Sequence, residues 1–403
     1  MRLVLYTGKG GVGKTTTAAA TALCAAARGR RTLVASADAA HSLGDVLELR
    51  LGAQPTSVAA GLDALELDAR TEMAGHWGRI RDYLVSLFRY QGIDEVVAEE
   101  LALLPGAEEL AMLLGVERHA RAGRYDLVVL DCAPTDSTLR LVTLPDVARG
   151  ALRVLLRVQE GLTRIVTPLA RNLVPVPLPD ADVFRDIDQL LYKKLRALRG
   201  LLTAETTSVR LVVTPERLVI DEARRAFTDL ALFEVPCDAV VMNRLLPPEA
   251  ARETFFQDWG RLQEERRREV EDLFAPLPVL PAPLRDDEVT GADALRAHGE
   301  ELFGDREPDA VLGIAARVRF ARDAKGYRMD VPLPHAERAS LDVSKLDDEL
   351  VVRSGGHRRA FKLPRRLGAL SLESTRFERD VLVVRFGTDG GAKRRRPAPT
   401  AAP

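Results

Sequence analysis

Cysteine is scarce in this chain of 403 residues. Only Cys24, Cys132 and Cys237 are present, and no two of them form a Cys-x-x-Cys pair. This spacing argues against a disulfide framework and against a cysteine-bound zinc site within one chain. We therefore expect no zinc and a reduced protein.

Long apolar runs are also missing, although 46% of the residues are hydrophobic. No run approaches the ~20 residues that are needed to cross a bilayer. The chain opens directly with a strand-like run and shows no signal peptide. The net charge of −1 excludes a general polyanion binder, so no nucleic-acid partner is expected. These features predict a cytoplasmic protein, and they leave transient contact with a membrane or a membrane receptor open.

A glycine-rich motif behind the apolar run 3–6 is the strongest signal in the sequence. It consists of Gly8, Lys9, Gly10, Gly11, Val12, Gly13, Lys14, Thr15 and Thr16. Between a strand and a helix, the N–H groups of such a loop can wrap a phosphate, and the helix dipole adds to the attraction. We expect Lys14 to reach the β- and γ-phosphates and Thr15 to hold Mg²⁺. The alternative is a glycine turn with two solvated lysines.

Apolar runs alternate with helical stretches over residues 1–305. This alternation predicts an α/β fold, with a mainly parallel sheet and helices on both faces. Strands are expected at 3–6, 33–37, 62–67, 127–130, 211–214, 239–242 and 279–281. Two insertions, at about 70–122 and 146–205, look helical. In the second, an apolar stripe over 155–169 either packs on the core or forms a groove for an apolar helix of another protein.

Carboxylates follow two of the predicted strands. Asp131 closes the run 127–130, where it can hold Mg²⁺ through a water opposite Thr15. Asp38 follows the run 33–37, where it can orient or deprotonate the attacking water. The extra lysine of the loop, Lys9, can neutralise charge on the nucleotide of a second copy across a two-fold axis. These residues predict hydrolysis of ATP.

Two further residues are candidates for the nucleobase. Asn243 ends the run 239–242 and presents an amide that can pair with an adenine edge. Pro283 lies in the segment after the last strand and can pack beside the base.

The phosphate loop, together with two more segments, resembles the deviant-Walker ATPases of the arsenical-pump and tail-anchored-protein-targeting family. The segment Asp38-Ala39-Ala40-His41-Ser42 resembles the family's switch I, and the segment 131–140 resembles its switch II. This likeness implies that Asp38 orients water, that Lys9 acts across a homodimer, that Asn243 contacts adenine, and that Thr15 and Asp131 serve Mg²⁺. The chain departs from the family pattern at Ala39 and at Asp136-Ser137.

The pattern changes beyond residue 305. A linker is expected over 306–325, and alternating residues then predict a small all-β domain over 326–388. The segments 327–334, 348–352 and 359–364 make this domain similar to an α-crystallin, or small heat-shock, sandwich. The basic and Pro/Ala-rich end, 389–403, is expected to be disordered.

The favoured interpretation is therefore a Mg²⁺-dependent ATPase that works as a nucleotide-switched homodimer and binds hydrophobic helical segments of client proteins. One alternative is a positioning or partitioning ATPase that cycles on a membrane or nucleoid. Another is a binding module in which ATP is only structural.

Overall fold

The computed structural model describes residues 1–38, 42–74, 82, 85–86, 89, 94–96, 107–132, 193–324 and 326–387. The chain divides into two compact units, Met1–Ala315 and Ala316–Pro403. The apolar stripe over 155–169, the switch II positions after Cys132 and the tail 389–403 lie outside the described residues.

The first unit is built on one eight-stranded sheet. Its strands are β1 (Arg2–Thr7), β2 (Thr32–Ser36), β3 (Thr56–Ala59), β4 (Leu62–Glu66), β5 (Leu127–Asp131), β6 (Thr207–Val213), β7 (Cys237–Leu245) and β8 (Val279–Pro283). They lie in the order β3-β4-β2-β5-β1-β6-β7-β8. Only β3 runs antiparallel to its neighbour. All seven predicted strands are present, and the α/β fold class is confirmed.

Ten α-helices are assigned within the described residues. In the first unit these are α1 (Lys14–Ala27), α2 (Ser42–Leu47), α3 (Ala69–Ala74), α4 (Ala107–Arg121), α5 (Leu195–Leu202), α6 (Arg217–Leu232), α7 (Pro248–Arg252), α8 (Gln257–Leu273) and α9 (Gly291–Phe303); α10 (Arg365–Gly368) belongs to the second unit. Three of them, α3, α4 and α5, fall in the two insertions that the sequence predicts to be helical.

The core lies around β1, whose six residues are all buried. Continuous burial along a strand is expected when layers cover both faces of a parallel sheet. The alanine-rich helix α1 packs closely on α9. A Cβ at Gly299 would lie only 2.5 Å from Sγ of Cys24, so this helix contact requires a glycine.

A buried ionic cluster binds the segment after α9 to the sheet. The side chain of Arg210 on β6 is fully buried; it donates to the carbonyls of Pro308 at 2.9 Å and Ala310 at 3.0 Å, and it contacts Asp238 at 3.3 Å. Asp238 also accepts from Arg2 at 2.9 Å. Residues 306–315 therefore pack with the first unit, although the sequence places them in a predicted linker.

The second unit is all-β except for short helical turns. It comprises β9 (Arg319–Asp323), β10 (Gly326–Pro332), β11 (Leu341–Leu346), β12 (Glu349–Ser354), β13 (His357–Lys362), β14 (Leu372–Glu378) and β15 (Val381–Phe386). Two antiparallel sheets form, β14-β15-β10-β9 and β11-β12-β13. The predicted all-β domain is confirmed, and β9 adds a strand inside the range predicted as linker. Within the described residues, no helix is long and apolar enough to span a membrane.

Candidate active site

The phosphate loop joins β1 to α1 at the carboxyl edge of the sheet. Two of its glycines are required by close approaches. A Cβ at Gly8 would lie 2.3 Å from the carbonyl oxygen of Val212, and one at Gly13 would lie 2.3 Å from Nδ2 of Asn243. Gly13 also has a left-handed backbone, with φ of 93°, which glycine adopts without strain. The loop is thus held against β6 and β7 by contacts that admit no side chain.

Lys14, the first residue of α1, is buried with 6% of its surface exposed. Its ammonium donates a hydrogen bond of 3.2 Å to the carbonyl of Lys9. An ammonium has three donors, so two remain for phosphate oxygens. Lys9 itself is half-buried and is followed by the exposed Gly10 and Gly11. Its side chain therefore starts from the outer rim of the loop.

The hydroxyl of Thr15 lies at the centre of a polar cluster. It donates a hydrogen bond of 2.8 Å to Oδ2 of Asp131 and lies 3.1 Å from the hydroxyl of Ser42. Asp131 reaches this place because β5 lies between β1 and β2, with Asp131 opposite Tyr6 on one side and Ser36 on the other. The structure thus brings the two predicted Mg²⁺ residues together.

Asp131 is fully buried, and its second oxygen, Oδ1, has no hydrogen-bond partner among the residues that the structure describes. Burial raises the pKa of Asp131 from 3.8 to about 6, while the hydrogen bond from Thr15 and the charge of Lys14 oppose the rise. A buried carboxylate with an unpaired oxygen is costly unless a cation meets it. A hard cation that keeps several waters and takes one carboxylate and one hydroxyl fits this donor set. Thr15 and Asp131 would hold Mg²⁺, which would neutralise charge on the phosphates.

Asp38 follows β2 at the same edge of the sheet and is half-buried. Its backbone N–H donates to the hydroxyl of Ser36 at 3.2 Å, and that hydroxyl lies 3.5 Å from Oδ2 of Asp131. Ser36 therefore connects the two carboxylate-bearing segments. The role of Asp38 in orienting water stays a prediction.

Asn243 lies on β7 directly behind the loop. Its amide donates to the carbonyl of Val12 at 2.9 Å, and its oxygen accepts from the N–H of Arg244 at 2.9 Å. The structure thus gives Asn243 a contact with the phosphate loop that the sequence does not reveal. Pro283 ends β8, opposite Leu245 in the neighbouring strand. The adenine contacts of Asn243 and Pro283 remain predictions.

Ser36 and Ser42 were missed as site residues by sequence reasoning. Each stands next to a segment that was singled out, since Ser36 is two residues before Asp38 and Ser42 ends the switch I segment. A hydroxyl beside a predicted Mg²⁺ site is the signal that could have identified both.

A glycine cradle at the start of a buried helix, with a strand-end carboxylate bonded to the first hydroxyl of that helix, defines the class of P-loop nucleotide hydrolases. Comparison with known proteins narrows this class. The family model described as anion-transporting ATPase matches residues 1–304, and the one described as an HSP20-like domain found in ArsA matches residues 324–386. The chain belongs to the ArsA family of anion-transporting ATPases, and it is an ATPase.

Three relatives illustrate the range of the family. A protein provisionally named arsenical pump-driving ATPase 1 from Aquifex aeolicus is 32% identical over 95% of this chain and 99% of its own length. A provisionally named arsenical pump-driving ATPase from Chlorobaculum tepidum is 35% identical over 90% of each chain. An ATPase ASNA1 homolog from Trypanosoma cruzi is 29% identical over 77% of this chain and 93% of its own length.

Proposed function

We propose that this chain hydrolyses ATP with Mg²⁺ as a nucleotide-switched homodimer in the cytoplasm, and that it binds hydrophobic helical segments of client proteins. The observation that carries the catalytic part is the buried Asp131, whose Oδ2 accepts from Thr15 while Oδ1 meets no partner within the described part of the chain. In the phosphate loop that would receive ATP, the ammonium of Lys14 is already held by a hydrogen bond to the carbonyl of Lys9. Bound Mg²⁺ supplies charge neutralisation at the phosphates.

Each remaining task falls to a residue of this chain. The backbone of the loop holds the phosphates, and Lys14 binds their outer oxygens. Asp38 orients a water for attack on the γ-phosphate. Lys9, on the exposed rim of the loop, meets the growing negative charge at the nucleotide of the second copy, as an arginine finger does. Because only ATP carries the γ-phosphate, the contact between copies depends on which nucleotide is bound.

The client part rests on the resemblance to the tail-anchored-protein-targeting ATPases and on the helical insertions. An apolar peptide helix of about 20 residues with a fluorescent label is the probe, and a peptide with serines along one face is its control. We expect tighter binding with a non-hydrolysable ATP analogue than with ADP. Equal affinity in the two nucleotide states would remove the proposed switch, because a ligand shifts only those states that it distinguishes.

A further inference from the structure

The two units of the chain carry net charges of opposite sign. Residues 1–315 contain 38 lysines and arginines against 48 aspartates and glutamates, whereas residues 316–403 contain 20 against 11. The net charges are therefore −10 and +9, and the second unit keeps an excess of six positive charges without the last 16 residues. The net charge of −1 for the whole chain conceals this difference, so the expectation of no nucleic-acid partner does not extend to the second unit by itself. Charge asymmetry of this kind indicates that the basic part of a chain meets a polyanion.

The strand β9 presents part of this positive charge beside an exposed aromatic ring. β9 is the last strand of its sheet, where it pairs with β10 on one side only. Arg319 and Arg322 are both exposed, and Phe320 is 48% exposed. One edge strand therefore offers two cations and an aromatic face to the same partner.

Phe320, Arg322 and Tyr327 share one face of the sheet. Phe320 and Arg322 are two residues apart and so point to the same side, and Tyr327 lies opposite Arg322 in β10. The guanidinium of Arg322 lies over the ring of Tyr327, 5.3 Å from its centroid. Met329, which lies opposite Phe320, is fully buried. The ring of Phe320 is thus the place where the buried face of the sheet reaches solvent.

The two carboxylates of β9 and β10 are occupied by other arginines. Asp323 pairs with Arg385 and Asp330 pairs with Arg328, each at 2.9 Å. Among the residues that the structure describes, no carboxylate forms an ion pair with the two exposed arginines of β9. Their guanidinium groups are therefore available to phosphate, which arginine binds through parallel N–H groups.

A single strand of nucleic acid fits this arrangement. Its phosphates bind cations, and its unpaired bases stack on aromatic rings and guanidinium planes. The bases of a duplex are already stacked on each other, so a duplex would use the arginines alone. A membrane fits less well, because insertion of Phe320 would carry into hydrocarbon the backbone N–H and C=O groups that an edge strand leaves unpaired.

We infer that the second unit binds single-stranded nucleic acid along β9, with a base stacked on Phe320 and phosphates held by Arg319 and Arg322. Because neighbouring side chains of a strand point to opposite faces, the two arginines reach phosphates on either side of that base. DNA and RNA share this chemistry. The inference goes beyond ATP hydrolysis, and it stands or falls independently of the proposed function because none of its residues belongs to the phosphate loop.

The first test measures binding of labelled oligothymidylate and oligouridylate, each of about 12 nucleotides, to the full-length protein by fluorescence anisotropy. Saturating ADP and Mg²⁺ keep the phosphate loop occupied. Phe320→Ser should weaken binding of at least one of the two strands by about tenfold or more, because stacking is lost. The double variant Arg319→Ala, Arg322→Ala should reduce the slope of log affinity against log salt by about 1.4, since each phosphate contact contributes about 0.7.

Matched controls come from the other sheet of the same unit. The double variant Arg353→Ala, Arg358→Ala removes the same charge from two exposed arginines that lie opposite each other in β12 and β13. Its salt slope should stay that of wild type. Leu346→Ser removes an exposed apolar side chain and should leave the affinity unchanged. Unchanged circular dichroism and ATP hydrolysis show that each variant is folded. Equal effects of the β9 variants and their controls would overturn the inference.

The second test needs no variant. An abasic strand keeps the phosphates but offers no base, and we expect the wild-type protein to bind it about tenfold more weakly than the complete strand. A duplex of the same length, an oligoglutamate peptide, and vesicles of phosphatidylcholine and phosphatidylserine in equal parts are the other anionic probes. Equal binding of the abasic strand, or tighter binding of any of these three probes, would contradict a site for single-stranded nucleic acid.

Discussion

The hydroxyl of Thr15, at the start of α1, donates a 2.8 Å hydrogen bond to Oδ2 of Asp131, at the end of β5. The two residues are 116 positions apart in the chain, and the order of the strands alone brings them together, because β5 lies directly beside β1. The contact ties the phosphate loop to the strand from which the switch II segment leaves.

Replacement of Asp131 by asparagine separates its cost to folding from its use in catalysis. A pKa raised from 3.8 to about 6 means that the folded state favours the protonated acid. The stabilisation is present at low pH and is lost as the pH rises through about 6. At pH 8, without nucleotide and with chelator, Asp131→Asn should therefore raise the free energy of unfolding by up to about 3 kcal/mol. Hydrolysis with Mg²⁺ should fall on the order of 100-fold. Urea unfolding and a phosphate-release assay measure the two effects.

Asp126 provides the matched control on the same segment of chain. The hydrogen bonds from Arg31 lower the pKa of this exposed carboxyl to about 2. The stability that Asp126 adds to the folded state is present above pH 3.8 and is lost as the pH falls through about 2. Asp126→Asn should therefore destabilise the protein slightly at pH 8 and leave hydrolysis unchanged. A gain in stability for both variants would refute the electrostatic account of Asp131.

The role of Asn243 can be determined by comparing the binding of ATP with the binding of GTP. Asn243→Ala removes the bond to Val12 at the back of the loop and should lower stability by about 1 kcal/mol. If its main task is support of the loop, the affinities for ATP and GTP should fall by the same factor. If it pairs with adenine, ATP alone should lose affinity. Calorimetric titration of both nucleotides distinguishes the two roles.

The buried cluster of Arg210 and Asp238 predicts where the ATPase unit ends. A chain cut after residue 315 keeps the carbonyls of Pro308 and Ala310 that Arg210 binds. A chain cut after residue 304 leaves a buried guanidinium short of two acceptors and should be less stable by about 2–5 kcal/mol. Urea unfolding of the two chains measures the difference, and equal midpoints would show that the segment adds nothing.

The burial of His298 predicts that the folded protein loses stability in acid. It is buried on α9, and neither ring nitrogen has a hydrogen-bond partner in the described part of the chain. Burial lowers its pKa below 6.5, and the charge of nearby Arg285 lowers it further, while Glu301 opposes the shift. The unfolded chain thus binds the proton more readily, and the stability contributed above pH 6.5 is lost as the pH falls. The loss has a limiting slope of about 1.4 kcal/mol per pH unit.

The variant His298→Met removes this titration while filling a similar volume. Urea unfolding at pH 7.5 and pH 5.5 should show a smaller loss of stability for His298→Met than for wild type. Equal losses would mean that other groups set the acid sensitivity.

The sequence predicted seven of the eight strands because each contains a short apolar run, which is most complete in β1, where all six residues are buried. It missed β3, a four-residue strand with no buried position, because an exposed edge leaves no hydrophobic pattern. It also missed β9, whose residues are almost all exposed. Periodicity reports burial, and these strands are held by backbone pairing instead.

The sequence predicted the residues of the candidate active site that follow local patterns, and it missed the contacts between distant parts of the chain. The loop, Asp38 and Asp131 follow local patterns, each being a polar segment at the end of an apolar run. The contact of Asn243 with Val12 joins residues 231 positions apart, and the pairing of Arg210 with Pro308 depends equally on the folded chain. Such contacts follow from strand order and register, which no local pattern specifies.

Subunit mixing shows whether Lys9 acts in the active site of the second copy. Lys9→Ala and Asp38→Asn should each be inactive alone. In a mixed dimer, the Lys9→Ala subunit keeps its own Asp38 and receives Lys9 from its partner, so one of two sites is complete. We expect a 1:1 mixture to recover about a quarter of the wild-type hydrolysis rate. Asp38→Asn mixed with the double variant Lys9→Ala, Asp38→Asn should recover none. A mixture of the single variants that stays inactive, although mixed dimers form, would contradict the account.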